Sequence, residues 1–548
     1  MDWHIRFGLF LAFFIPAVAT GRATRPADEA PSAKAGESTP AQDQMSGSIE
    51  KAAVTFHTLE LPDGILPYRA TAANMLLKDE DGKRKGSMFF VAYDRLSRPI
   101  KPHIPEAGES SKVSASAPAI AEDSPAARPI TFVFNGGPGA AAVWLHLGTA
   151  GPKRIDLPEN GFAPPPPFRL TDNHETWLTY TDLVFVDPVG TGFSRPAEGE
   201  KAEQFYGVTQ DIRWVSEFIR LYLTIYRRWS SPVFLAGESY GTTRAAGLSD
   251  FLVERHGIAL NGIILISSVL SFQTLRFGDG NDLPYVLYVP TYAAIAHYHG
   301  QLGDNPPPLD QLLPEVENWA IREYAVALAR GDSLPPADRE HIARTLSRYT
   351  GLDAELILRN NLRISAGTFQ KHLLSRRRRI VGRFDGRMTG FELNPGAGWP
   401  EYDPSLSQFL PIYTSTFNDY VRRELNYDSV LTYEVLSDKV RPWKYGEEGT
   451  GYLTVVDELR QAMAKNPALK VMFASAYHDL ATPFFATWYT VNHLDIGPLR
   501  DNIVERIYPG GHMMYHAASS RIRLQQDVAQ FIRWATIRDG TEAETPRE

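Results

Sequence analysis

The chain of 548 residues contains no cysteine. It can form no disulfide and offers no thiol for lipid attachment, so its stability must come from its core. It also lacks a basic excess. Lys and Arg number 56 against 64 Asp and Glu, giving a formal net charge of −8 and a pI near 6.0. That balance argues against a nucleic-acid binder, which normally carries a basic face. Beyond the N-terminus no uncharged apolar run reaches membrane-spanning length. There is no P-loop and no Gly-x-Gly-x-x-Gly after a strand, so no nucleotide and no other cofactor is expected. His512 and His516 have helical i, i+4 spacing without an apparent third ligand, so no metal is expected. What is plentiful is glycine (42), proline (40) and apolar residues (43%), the make-up of a globular protein with a large core and many turns.

The first residues read as an export signal, 1–19. A positive charge at Arg6 precedes thirteen apolar positions and a small-x-small site, Ala17-Val18-Ala19. The mature protein is then exported, periplasmic or secreted, with no stable membrane insertion once the signal is cleaved. Residues 20–51 are rich in Ala, Pro, Ser and acidic residues and read as a disordered spacer. Residues 101–127 have a similar composition and read as an exposed loop. Between them, 56–94 alternates apolar and polar residues, with one clear strand at 86–93. Six short apolar runs then suit buried strands, at 130–134, 182–187, 233–236, 262–268, 470–476 and 502–508. Helical patterns at 210–226 and 242–254 separate some of them, which predicts an α/β fold with a mostly parallel sheet covered on both faces. Amphipathic patterns at 315–329, 338–349, 354–361 and 368–379 break that rhythm. The expected organisation is therefore a core in two parts, 52–270 and 452–540, with a mainly helical cap inserted at 271–451. A separate second domain is the alternative.

The chemistry centres on Gly237-Glu238-Ser239-Tyr240-Gly241, which lies between an apolar run and a helical pattern. A sharp strand-to-helix turn lifts such a serine clear of the sheet, although glycines around a serine also occur in ordinary turns. A serine hydroxyl needs a base to take its proton and an acid to orient that base. Asp479 and His512 follow Ser239 in the required order, each where a strand runs into a loop. Taken singly, Asp479 also reads as a helix-capping aspartate and His512 as a turn histidine. The backbone N–H of Tyr240 is one candidate oxyanion donor. The second, assigned to Gly137, comes from the loop Asn135-Gly136-Gly137-Pro138-Gly139 after the strand at 130–134.

The loop at 135–139, the pentapeptide at 237–241 and Asp187-Pro188-Val189-Gly190-Thr191-Gly192-Phe193-Ser194 together resemble the serine carboxypeptidases of the α/β-hydrolase superfamily. Asn173, Trp177 and Gly511-His512-Met513 fit the same pattern. The resemblance covers about 130–269 and 470–516. It implies a serine-type carboxypeptidase acting on peptides with a free C-terminus, with Asn135 and Glu238 binding the terminal carboxylate. Glu238 would have to be protonated for that task, so activity should favour acidic pH. The chain departs from the family at Val133, which replaces a tryptophan, and at Thr149, which by counting replaces a second glutamate. Ala140 stands where a cysteine is usual. The first two changes thin the carboxylate site. They leave open an esterase or acyltransferase on the same three residues, and beyond these a non-catalytic binding protein on the hydrolase scaffold. The run Arg376-Arg377-Arg378-Arg379 reads as a solvated helix end. Arg383 and Arg387 are candidates to meet a substrate carboxylate.

Overall fold

A computed structural model describes residues 47–98, 128–446 and 451–537. The expected signal at 1–19, most of the spacer and the loop at 101–127 lie outside the described residues. Among the described residues the main sheet has ten strands, nine of them in its continuous path: β1 Ile49–Leu61, β2 Gly64–Lys78, β3 Arg84–Arg95, β4 Ile130–Phe134, β5 Asp182–Val186, β6 Val233–Glu238, β7 Gly262–Ile266, β8 Lys470–Ala476 and β9 Ile503–Tyr508. Their spatial order is β1-β2-β3-β5-β4-β6-β7-β8-β9, with Arg195–Pro196 pairing at the edge of β3. From β5 to β9 neighbouring strands are parallel. β1, β2 and β3 form an antiparallel meander joined antiparallel to β5.

The central strands are short because they are buried on both faces, and every residue of β4, β5, β6 and β7 is inaccessible. Alternate side chains feed opposite cores. Phe132 and Phe134 of β4 enter the core covered by helices Val208–Ile225, Tyr240–His256 and Val456–Lys465, while Val133 enters the core covered by Ala518–Thr536. A mostly parallel sheet in this order, with helices on both faces, is the α/β-hydrolase fold.

The interval between β7 and β8 is mainly helical and has a core of its own, in which Tyr292 stacks on Phe369 and Trp319 on Tyr324. Its longest helix, Pro404–Arg423, leaves that core. Phe409, Tyr413, Phe417 and Tyr420 join the core under the sheet, and Tyr420 meets the Tyr93 hydroxyl of β3 at 2.9 Å.

Several boundaries differ from the sequence expectation. β1 begins at Ile49, inside the expected spacer; the strand singled out at 86–93 falls in β3, while β1 and β2 occupy ground where no separate strand was singled out. β7 stops at Ile266 because Ser267 turns out of the sheet with φ 50°. The helix expected at 368–379 ends at His372. Arg376 and Arg377 lie on a short 3-10 turn, Arg378 takes the left-handed conformation that stops it, and Arg379 opens a small strand. The arginine run is thus a turn entering a strand, with Arg379 over the Phe391 ring and Arg378 paired to Glu392.

Candidate active site

The C-terminal ends of β4, β6, β8 and β9 converge on one cavity. Asn135, Gly137, Glu238, Ser239, Tyr240 and His512 all line it. Crevices beyond the carboxyl ends of parallel strands are where open α/β sheets place their ligands.

Ser239 sits between β6 and the helix Tyr240–His256 at φ 59° and ψ −129°, a conformation that disfavours any side chain. Its N–H donates to the Ile266 carbonyl, which ties the turn to the tip of β7. The turn closes only because its flanks are bare: a Cβ on Gly237 would stand 2.5 Å from the Gly241 carbonyl carbon. Ser239 is left half-buried, with its hydroxyl on the cavity side.

Asp479 is fully buried and its carboxylate is fully occupied. Oδ1 accepts from the N–H groups of Ala481 (2.7 Å) and Thr482 (3.1 Å), and Oδ2 accepts from the Thr482 hydroxyl (2.6 Å). Oδ2 also lies 2.8 Å from His512 Nδ1. A carboxylate only accepts, so Nδ1 carries the proton and Nε2 is left as the acceptor. Nε2 is buried and has no hydrogen-bond partner among the described residues. Burial lowers the His512 pKa, but the charge and hydrogen bond of Asp479, with help from Glu238, outweigh it and the net direction is upward. Ser267 Oγ donates to the His512 carbonyl at 2.7 Å, fixing the histidine loop to the end of β7.

Glu238 is buried directly before Ser239. Its Oε2 accepts from Asn135 Nδ2 at 2.8 Å and from the Tyr515 hydroxyl at 2.7 Å. Burial pushes its pKa up to about 7, against the opposing pull of His512, Tyr515 and Asn135. Asn135 is itself held from both sides. Its side-chain oxygen accepts from the Leu145 N–H, and its carbonyl accepts from Arg244, whose guanidinium is paired in the core with Asp211 at 2.7 Å.

The loop Asn135–Gly139 lies flat against the turn at Ser239. A Cβ on Gly136 would overlap the Tyr240 nitrogen and come within 2.8 Å of the Glu238 carbonyl and the Gly241 nitrogen. Gly136→Ala must therefore push the 137 and 240 N–H groups apart. Overpacking of this kind costs about 1–3 kcal/mol, and a misplacement near 1 Å costs about 10²-fold in turnover. The expected result is a folded protein with a modestly lower melting temperature and kcat reduced about 10²-fold, measured by thermal unfolding and steady-state kinetics.

Other residues marked in the sequence have different surroundings. Asp187, also buried, accepts from the Ala142 N–H at 2.8 Å and holds the start of the helix Val143–Leu145. Asn173 donates to the carbonyls of Thr149 and Gly151 and pins the turn between them. Thr149 is buried outside the cavity. Arg387 is committed to Asp385 by a double contact, whereas Arg383 is exposed on the cavity wall. Thr482, Ser267 and Tyr515 were not singled out by the sequence. Tyr515 lies three residues past His512, and that closeness is the one signal that could have found it.

Residues 119–301 match the family model described as serine carboxypeptidase. The chain is 31% identical over 140 residues to the pheromone-processing carboxypeptidase KEX1 of Coprinopsis cinerea, covering 25% of this chain and 21% of that one. It is 28% identical over 141 residues to serine carboxypeptidase-like 33 of Arabidopsis thaliana, covering 25% and 27%. The match thus spans well under half the length of these curated relatives. A solved structure of a prohormone-processing carboxypeptidase from Saccharomyces cerevisiae aligns over 85% of this chain and 91% of that one, with 15% identity and a TM-score of 0.46. The segment similar to the serine carboxypeptidase family model, 119–301, carries both the Asn135–Gly139 loop and the Ser239 turn.

Proposed function

We propose that the protein is an exported serine carboxypeptidase that removes C-terminal residues through an acyl-enzyme. Ser239 Oγ attacks the last peptide carbonyl, and His512 Nε2 takes its proton. Asp479 keeps the imidazole in the Nδ1–H tautomer and stabilises the imidazolium that forms. The N–H groups of Gly137 and Tyr240 receive the oxyanion. His512 then gives its proton to the departing amino group, and water reverses the sequence to release the shortened peptide. The helical interval 271–451 serves as the cap over this site. Among the described residues no helix is long and apolar enough to cross a membrane.

The observation that carries the reading is Glu238. A general hydrolase has no use for a buried, protonatable carboxyl group paired with an asparagine beside its nucleophile. A carboxypeptidase does: protonated Glu238 donates to one oxygen of the substrate's terminal carboxylate, and Asn135 Nδ2 can turn to the other.

The sign of the pH dependence follows. Below about pH 7 Glu238 is protonated in the free enzyme and the peptide binds. Above it Glu238 is ionised and repels a second carboxylate, so KM rises about tenfold per pH unit. kcat moves the other way, since His512 must be neutral to act as base and gains activity as it deprotonates. Glu238→Gln should flatten the rise in KM, because glutamine donates without ionising. The test is KM against pH for a peptide and its C-terminal amide, in wild type and Glu238→Gln. Equal cleavage of acid and amide with parallel profiles would instead favour an esterase or acyltransferase. That is the reading to which Val133, and Thr149 outside the cavity, lend support.

A further inference from the structure

The cavity at Ser239 does not end at the nucleophile. A second, wider cavity adjoins it, sharing Gly137, Phe272, Leu275, Arg383 and Ala481. The inner one measures about 140 Å³ and the outer about 790 Å³. Asn135 and Glu238 line the inner cavity alone. If they hold the terminal carboxylate, the leaving residue occupies the inner end. Every residue before the scissile bond must then exit past Ser239 into the outer cavity. This step rests on the carboxypeptidase reading.

The charge of that outer wall is one-sided. The chain as a whole is acidic, with a formal net charge of −8. Yet the charged residues lining the outer cavity are Arg276, Arg383 and Arg441, with no carboxylate among its described lining residues. All three arginines are exposed. Arg276 is held by stacking, 5.6 Å over the Phe272 ring and 5.4 Å over the Tyr445 ring, and Arg383 lies 5.5 Å over Phe384. Stacking fixes the plane of a guanidinium and leaves its N–H edges for a ligand. Arg441 pairs with Asp438 at 3.2 Å, and both are exposed.

Arg383 is also tied to the reacting centre through its backbone. Its N–H donates to Asp403 Oδ1, and its carbonyl accepts from the N–H of Leu480, next to Asp479. The arginine therefore keeps a fixed position relative to His512 while its side chain faces the cavity. Phe272, Trp443 and Tyr445 supply flat apolar surface between the cations. A guanidinium pairs with a carboxylate through two parallel N–H···O bonds, which no neutral side chain matches.

We propose that this arginine-lined vestibule selects peptides carrying acidic side chains on the acyl side of the scissile bond. The preference acts on the residues before the terminal one and leaves the choice of the departing residue to the inner cavity.

The test uses N-acetylated tetrapeptides with one common C-terminal residue and Glu, Gln or Lys at the two preceding positions. The expected order of kcat/KM is Glu over Gln by about tenfold or more, with Lys lowest, and the gap should shrink as ionic strength rises. In the triple variant Arg276→Gln, Arg383→Gln, Arg441→Gln, the Glu-to-Gln ratio should fall to about twofold. Titration of the Glu and Gln peptides into the Ser239→Ala protein should give the same order in Kd without turnover. Equal hydrolysis of all three peptides by the wild type overturns the vestibule assignment and leaves the carboxypeptidase reading standing. So does a Glu preference that survives the triple variant. If no peptide is cleaved or bound while a simple ester is still turned over, the carboxypeptidase reading falls and the acidic-peptide assignment falls with it.

Discussion

Ser239→Ala is expected to abolish covalent labelling by a fluorophosphonate and to lower turnover by a factor on the order of 10⁴ or more. The size follows from what one oxygen does. Without Oγ no acyl-enzyme forms, and what remains is water attacking a substrate held by the oxyanion donors and the binding groups. Stability should hardly change, within about 0.5 kcal/mol. Alanine keeps the Cβ, so the cost of holding φ at 59° is the same in both proteins. The backbone bond from residue 239 to the Ile266 carbonyl is also unaffected. A circular-dichroism melt and a labelling gel on the same preparation separate loss of chemistry from loss of fold. Labelling retained at the wild-type rate would place the nucleophile elsewhere in the chain.

The parts of the fold that were legible in the sequence share one property. β4 to β8 are short, largely apolar runs because the sheet buries both their faces, and a run buried on both faces looks the same whatever packs on it, whereas the edge strand β9 carries Glu505 and Arg506 and is half-buried in its middle. The antiparallel entry was harder. β1 has an exposed face and half-buried residues, and β2 is buried along most of its length, so the two strands share no single pattern. The helices between β7 and β8 were blurred by proline. Pro284 and Pro290 open two helices, and Pro411 lies inside Pro404–Arg423, three helices that the sequence did not mark individually within the expected helical cap.

The site divides the same way. Ser239, Asp479 and His512 could be named because each follows a recognisable strand and the order along the chain is restrictive. Asn135, Glu238, Ser239 and His512 meet around one cavity. Thr482, Ser267 and Tyr515 could not be named, because their contacts depend on which loops fold together. Tyr515 reaches Glu238 across 277 positions of sequence, and Ser267 reaches His512 across 245. The vestibule was hidden for the same reason. Arg383 was marked in the sequence as a candidate for a substrate carboxylate, but Arg276 and Arg441 were not, and the three gather around one cavity only in the fold.

His512→Ala should cost about as much as losing the serine, since base and nucleophile act as a unit. Asp479→Asn should cost less than that and still several orders of magnitude, on the order of 10³ to 10⁴ in kcat. The hydrogen bonds around residue 479 explain how. Its Oδ1 position receives two backbone N–H groups, so in the variant the amide oxygen must stay there. The new NH₂ then occupies the Oδ2 position, facing His512 Nδ1, which in wild type is 2.8 Å away. Two donors cannot share that contact, so the imidazole moves its proton to Nε2 and Nδ1 becomes the acceptor. Nε2 is the buried nitrogen without a hydrogen-bond partner among the described residues, and once protonated it can no longer take the proton of Ser239. Geometry is kept and the base is lost. KM should change far less than kcat, because neither oxygen of Asp479 lines the cavity. Stopped-assay kinetics on one peptide, with thermal melts as the folding control, read both numbers. Asp187→Asn provides the contrast: its amide oxygen can still accept from the Ala142 N–H, so kcat should change little. If Asp479→Asn were silent while Asp187→Asn abolished activity in a protein that still folds, the orienting acid would be Asp187.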